Sequence, residues 1–72
     1  MHVETVKKIY RIDRREISFL RFIFEAYEGL AVITTLNAEE GTVQLSIAPE
    51  CVDEVDLILN DLKKDILMEH LN

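Results

Sequence analysis

The stretch that decides the fold reads YRIDRREISFLRFIFEAYEGLAVITTL and runs from Tyr10 to Leu36. Asp13, followed three residues later by a glutamate, is the side-chain pattern that caps the N-terminus of a helix. A helix is therefore predicted over residues 14–28. Gly29 is predicted to end it, because glycine takes the left-handed conformation that other residues resist. The apolar, β-branched segment 30–36 predicts a strand.

The predicted helix has a polar and an apolar face. The polar face comprises Arg14, Ser18, Arg21, Glu25 and Glu28, and the apolar face comprises Ile17, Phe19, Leu20, Ile23, Ala26 and Tyr27. Phe22 and Phe24 widen the apolar surface beyond the roughly 100° that a core needs. Part of this surface is therefore expected to contact another helix or another subunit.

Both sides of this unit continue as sheet. Residues 3–12 predict a first strand whose core face is interrupted by Lys8. A charge there favours an edge strand, because cations protect such strands from indiscriminate pairing. Residues 37–41 have the composition of a hairpin loop, in which Gly41 is available for a positive φ. Residues 42–48 then alternate between apolar and polar, as a strand with one buried face does.

A second helix is predicted to begin at Pro49, which suits a first helical turn. Its apolar stripe comprises Val52, Val55, Ile58, Leu59, Leu62 and Ile66. Beyond that stripe, Leu67, Met68 and Leu71 are predicted to point away from the core. The elements give an α+β fold of order β-α-β-β-α, with a three-stranded sheet of order 1-3-2 and both helices on one face. This is a ferredoxin-like fold that lacks its last strand, so the edge of strand one is expected to be open.

Composition excludes several classes of function. The 72 residues predict one small domain (1–72), and a net charge of -6 argues against nucleic acid as a partner. The single Cys51 excludes an intrachain disulfide, and no apolar run is long enough for a membrane span or a signal peptide, so a cytoplasmic protein is expected. His2 and His70 lie at opposite ends of the sequence. They are therefore expected to be mobile terminal residues, and neither a metal site nor a cofactor is predicted.

The segments Tyr10-Arg11-Ile12-Asp13 and Phe24-Glu25-Ala26-Tyr27-Glu28-Gly29-Leu30, followed by the hairpin into Pro49, resemble a family of short bacterial proteins known as a domain of unknown function. The resemblance implies a bacterial, cytoplasmic protein and brings no catalytic motif. The order of elements is also similar to that of ACT domains, regulatory modules that dimerise through their sheets and bind amino acids near the loop after the first strand. The glycine often found in that loop is missing here.

Four cations at the start of the first helix form the candidate ligand site: Lys8, Arg11, Arg14 and Arg15. Backbone N–H groups, the helix dipole and the guanidinium groups would together hold the carboxylate or phosphate of a small anionic metabolite. Asp13 opposes this, because as a cap it already occupies the N–H groups and repels an anion. The alternative is that these charges form a solvated face.

The candidate interface residues are Phe22, Phe24, Leu57, Leu67, Met68 and Leu71. A core this small, without covalent support, favours self-association. We expect a non-enzymatic module that forms a homodimer and binds a small anionic metabolite or another protein. The alternative is a structural or adaptor subunit that docks on a larger protein and has no small ligand. An enzyme is not expected, because the sequence offers no nucleophile with its base, no metal set and no phosphate loop.

Overall fold

The computed structural model describes residues 5–27 and 30–72. Along the chain these residues form β1 (Val6–Ile12), α1 (Ile17–Ala26), β2 (Ala31–Asn37), β3 (Thr42–Ile47), α2 (Val52–Leu62) and β4 (Met68–His70). A single 3-10 turn precedes each helix. The expectations for His2, for the first residues of strand one and for Gly29 lie outside the described residues.

The four strands form one sheet of order β2-β3-β1-β4, in which every neighbouring pair is antiparallel. The predicted order of the first three strands is present. The prediction of a three-stranded sheet was wrong, because β4 pairs with β1 from Tyr10 to Ile12. The chain therefore has the complete β-α-β-β-α-β order of a ferredoxin-like fold.

The fourth strand changes the position of β1 in the sheet. With β3 on one side and β4 on the other, β1 is central, so the prediction of an edge strand was wrong. The edge that was expected to be open is occupied along Tyr10–Ile12, and the Leu71 N–H also donates to Ile9 O at 2.8 Å. Met68 belongs to the sheet and packs against the core, which corrects the prediction that it points away from the core.

Both helices cover one face of the sheet, called here the helix face. The core between the layers comprises Tyr10, Ile12, Leu20, Phe24, Val43, Leu45, Ile47, Val55, Leu59, Leu62 and Ile66. The predicted stripe of α2 faces this core, with Val52 and Ile58 half-buried at its margin. In α1, the side chains of Leu20 and Phe24 face the core. Phe24 is 2% exposed, so its assignment to an interface is corrected: this side chain is part of the core.

Neither α1 nor α2 has the length and apolar composition of a membrane-spanning helix, a finding that covers residues 5–27 and 30–72.

Local signals set the starts of both helical segments as predicted from the sequence, whereas α1 ends at Ala26 and α2 at Leu62, earlier than the sequence indicated. The Asp13 side chain caps the first helical segment by accepting the Arg15 N–H at 2.9 Å. Pro49 lies in the first turn before α2. The strand β3 ends at Ile47, one residue earlier than predicted.

The β2–β3 hairpin closes at Gly41, which has the expected positive φ, of 75°. Its carbonyl oxygen accepts the N–H of Ile12 at 2.9 Å, and so the hairpin is bonded to the end of β1. A Cβ at this position would lie 1.8 Å from Ile12 O. Both the backbone conformation and the space require glycine here.

We expect Gly41→Ala to lower the free energy of unfolding by at least about 2 kcal/mol, because the left-handed conformation alone costs about 1 to 2 kcal/mol and the contact with Ile12 O adds to it. Urea unfolding followed by circular dichroism measures the change. Glu39→Ala, in the same hairpin but exposed, is the matched control and should stay within about 0.5 kcal/mol of the wild type. Equal stability of the two variants would contradict the close approach of the hairpin to β1.

Candidate functional site

Lys8 lies on the helix face of the central strand, opposite Leu45 of β3. Its Nζ donates to Asp56 Oδ1 of α2 at 2.6 Å. This hydrogen bond raises the pKa of Lys8 above its usual value, while partial burial acts in the opposite direction. The ammonium group thus ties the sheet to α2, and it does not extend towards the start of α1.

The three arginines of the predicted ligand site have different surroundings, although Arg11 and Asp13, the partner of Arg15, line one cavity of about 680 Å³. Arg11 lies on the other face of β1 and pairs with Glu69 of β4. Arg15 Nη2 lies 2.9 Å from Asp13 Oδ2. Arg14 borders a cavity of about 400 Å³ together with Ile17, Thr35, Ala38 and Glu39. Three of the four cations therefore have carboxylate partners, and the structure does not bring the four together around one anion.

The side chain of the cap residue Asp13 is strongly stabilised in its ionised form. Hydrogen bonds from the Arg15 side chain and from its backbone N–H lower the pKa of Asp13 to about 2. Asp13 is therefore ionised throughout the physiological range. A negative charge at this position opposes the binding of an anion at the same helix start.

A ring cluster that the sequence did not indicate lies on the helix face of β1, where this strand pairs with β4. The imidazole of His70 stacks on Tyr10 with 4.8 Å between ring centroids, and Lys63 Nζ lies 5.7 Å from the centroid of the tyrosine ring. Burial raises the pKa of Tyr10 above its usual value. The expectation that His70 is a mobile terminal residue was wrong, because it belongs to β4.

The predicted interface residues do not share one surface, although Leu67 and Met68 line the same cavity of about 680 Å³. Phe22 is 66% exposed on the solvent side of α1, and Leu57 is 71% exposed on α2. Leu67 is 89% exposed at the start of β4, and Leu71 follows the end of that strand. Met68 is half-buried, and Phe24 lies in the core. These six side chains do not form one patch.

The edge of β2 is a first exposed surface with unusual properties. Among the described residues β2 has one neighbouring strand, β3, so its other edge faces solvent. The strand reads AVITTLN, without charge or proline, and Val32 is 67% exposed. Its register with β3 is regular from Ala31 to Thr35 and then shifts.

Two charged residues of α1 flank this edge. The Nη2 of Arg21 donates to Thr35 Oγ1 at 3.1 Å. One turn later, Glu25 lines a cavity of about 220 Å³ with Ala31, Val32 and Ile33, and Arg21 borders the same cavity. The guanidinium of Arg21 thus bonds to the Thr35 end of the regular part of β2, and Glu25 lies one helical turn further on, in the direction of Ala31.

A second exposed surface is the groove between the two helices, here called the helix groove. It encloses about 280 Å³ and is lined by Ile23, Tyr27, Leu57, Ile58, Asp61 and Leu62. Tyr27 is 50% exposed, and Leu57 is more exposed still. Apolar walls that remain this accessible mark a candidate interaction site.

Cys51 lies in the 3-10 turn before α2 and is half-buried. Burial raises the pKa of its thiol, and the carboxylates of Glu50 and Glu54 raise it further. Because the thiolate is the nucleophilic form, this environment favours an unreactive cysteine.

These features define a small ferredoxin-like α+β domain with an uncharged sheet edge and an apolar groove between its helices. The family model described as "Domain of unknown function (DUF4911)" matches residues 10–66, and the chain belongs to this family. The expected resemblance to a family of unknown function is confirmed, whereas a bacterial source and a relation to ACT domains stay predictions. No curated protein and no solved structure matches the chain.

We expect the free energy of unfolding to fall as the pH rises above about 10. Lys8 and Tyr10 both have a pKa raised by the fold. The contribution of each group to the free energy of unfolding is therefore fully present when the pH is below the pKa of that group in the unfolded chain. This contribution is lost as the pH rises through the pKa of the group in the folded protein. Urea unfolding at a series of alkaline pH values measures the loss.

The variant Lys8→Met isolates the lysine contribution, because it keeps an apolar stem and removes the ammonium group. Its stability should fall less steeply over this pH range than that of the wild type. Lys7→Met changes an exposed neighbour in the same strand and should leave the pH dependence unchanged. An identical slope in Lys8→Met and wild type would contradict the role of the Lys8–Asp56 pair.

Proposed function

We propose that the chain is a non-enzymatic protein-interaction module that forms a twofold dimer along the edge of β2. The observation that carries the proposal is the absence of charge and proline from this seven-residue edge. Exposed sheet edges are normally protected by lysine, proline or extreme shortness, because they otherwise pair with other chains. The opposite edge has such protection, since β4 is three residues long and contains Glu69.

The regular part of β2 suggests a register for the dimer. It runs from Ala31 to Thr35, and Ile33 lies at its centre. In an antiparallel pair with the twofold axis at Ile33, Ala31 lies opposite Thr35 of the second copy. Val32 then lies opposite Thr34 of the second copy, which covers its exposed side chain. The two sheets become one continuous antiparallel sheet with the helices on one side.

The flanking charges of α1 support the same register. Arg21 accompanies Thr35, and Glu25 accompanies Ala31. Because Thr35 and Ala31 face each other across the axis, Arg21 of each copy approaches Glu25 of the other. A twofold interface makes such a contact twice, so the surface is complementary to itself in charge as well as in shape.

Protein binding is proposed in place of a small anionic ligand. Lys8, Arg11 and Arg15 have carboxylate partners within the chain, and Lys8 and Arg11 lie on opposite faces of the sheet. The adaptor alternative uses the same edge differently: a strand of another protein pairs with β2 in place of the second copy. The oligomeric state in solution separates these two possibilities.

We expect sedimentation equilibrium to show a dimer at micromolar concentration. Thr34→Lys should raise the dimer Kd at least about tenfold, which corresponds to 1.4 kcal/mol, because it places a cation on the exposed edge of both copies. Leu67→Lys adds the same charge at an exposed position beside β4 and should leave the Kd unchanged. A wild-type chain that stays monomeric at high micromolar concentration overturns the dimer, and dissociation by Leu67→Lys places the interface elsewhere.

A charge exchange tests the register. Arg21→Glu should weaken the dimer, because the new carboxylate approaches Glu25 of the second copy. Combining it with Glu25→Arg restores opposite charges across the axis, so the double variant should regain a Kd near that of the wild type. Far-ultraviolet circular dichroism establishes that each variant is folded. A double variant that dimerises no better than the two single variants would show that β2 pairs in another register.

A further inference from the structure

We propose that the helix groove binds an amphipathic helix with basic residues on its flanks, supplied by a partner protein. This inference goes beyond the dimer, because the groove lies on the flank of α1 opposite to the one that borders β2. Arg21 and Glu25 border the edge of β2, whereas Ile23 and Tyr27 face α2. The two surfaces are therefore available at the same time.

The groove has the apolar floor and walls that a helix needs. Ile23, Ile58 and Leu62 form its inner part, and Tyr27 and Leu57 stand on either side. Phe19 precedes Ile23 by one turn on the same flank of α1 and is exposed, so it lengthens the apolar wall. From Phe19 to Tyr27 this wall spans about 12 Å, or two turns of a docked helix.

The size of the groove suits the side chains of a docked helix. Its volume of about 280 Å³ lies just below the range of about 300 to 1,000 Å³ that small-molecule pockets occupy. A helix that docks in a groove inserts apolar anchors spaced three or four residues apart and leaves the rest of its surface outside. One or two such anchors suit this volume.

The charges on the rim indicate the chemistry of the partner. Asp61 lines the groove, and Glu54 is exposed on α2 one turn before Leu57 and Ile58. Lys64 Nζ lies 3.5 Å from Asp61 Oδ1, but both side chains are largely exposed and the pair is screened by solvent. Lysine or arginine on the flanks of a docked helix would therefore meet Glu54 and would compete with Lys64 for Asp61 along the α2 side.

The same charges argue against a second copy as the occupant of the groove. A twofold contact between two grooves would bring Glu54 and Asp61 of one chain towards the same acids of the other. Like charges at such an interface oppose association. The acidic rim thus selects a basic partner rather than a second groove.

The probe is a fluorescein-labelled helical peptide of leucine and lysine, about 18 residues long so that it can form a helix. Two control peptides are a version with glutamate in place of lysine and a scramble that destroys the apolar face. Fluorescence anisotropy with the full chain should give a micromolar Kd for the first peptide and values at least tenfold weaker for both controls. Raised salt should weaken binding of the first peptide, because its rim contacts are exposed.

Variants locate the binding site. Leu57→Asn should weaken binding of the lysine peptide at least about tenfold, and Leu67→Asn, an equally polar change at another exposed leucine, should have no effect. Equal binding of the scrambled peptide, or full binding by Leu57→Asn, overturns the proposal. So does dissociation of the dimer by Leu57→Asn, which would identify a second copy as the occupant of the groove. Failure of the β2 dimer itself would leave the peptide result unchanged, so the two proposals are tested separately.

Discussion

A lysine on the covered face of the central strand constrains the packing of the whole domain. The side chains of β1 that face the helices are Val6, Lys8, Tyr10 and Ile12, and three of these four are apolar or aromatic. A partly buried ammonium group needs an anion within hydrogen-bonding distance, because loss of water is otherwise uncompensated. Asp56 supplies it from α2, at a distance of 48 residues along the chain.

This ion pair helps to set the rotation of α2 on the sheet. With Asp56 directed at β1, its neighbour Val55 is fully buried, and so is Leu59 one turn later. The aliphatic stem of Lys8 contributes apolar surface to the same layer. One charged pair and one apolar stripe therefore specify the same orientation of the helix.

Features with local causes could be predicted from the sequence. The cap at Asp13, the turn at Gly41 and the stripe of α2 each depend on residues within a few positions of one another. The strand β4 could not be predicted from the sequence, because three residues show too little alternation of apolar and polar side chains to distinguish a strand from the end of a helix. The charge of Lys8 led to the incorrect prediction of an edge strand, because its partner on α2 is distant in sequence and could not be identified from it. The cations of the expected ligand site could each be identified in the sequence. The pairing of Lys8 with Asp56 and of Arg11 with Glu69 could not be.

The proposed dimer and the helix groove act together through geometry. Pairing along β2 places all four helices on one side of a continuous sheet, so the two grooves face the same direction. A partner with two basic helices would bind the second groove at the high effective concentration set by the linker between them. Moderate affinity at each groove is then sufficient for stable attachment to the dimer.

The shortness of β4 has a dynamic consequence. Its ladder to β1 covers Tyr10 to Ile12, whereas β3 pairs along nearly all of β1. The free energy needed to detach β4 is therefore a fraction of that of global unfolding, and the amide of Leu71 should exchange its hydrogen before those in the middle of β3. Each such opening uncovers the outer edge of β1. The rate at which β4 detaches from β1 thus determines how often the sheet exposes a second edge. That edge would compete with the edge of β2 for pairing with a strand of another chain.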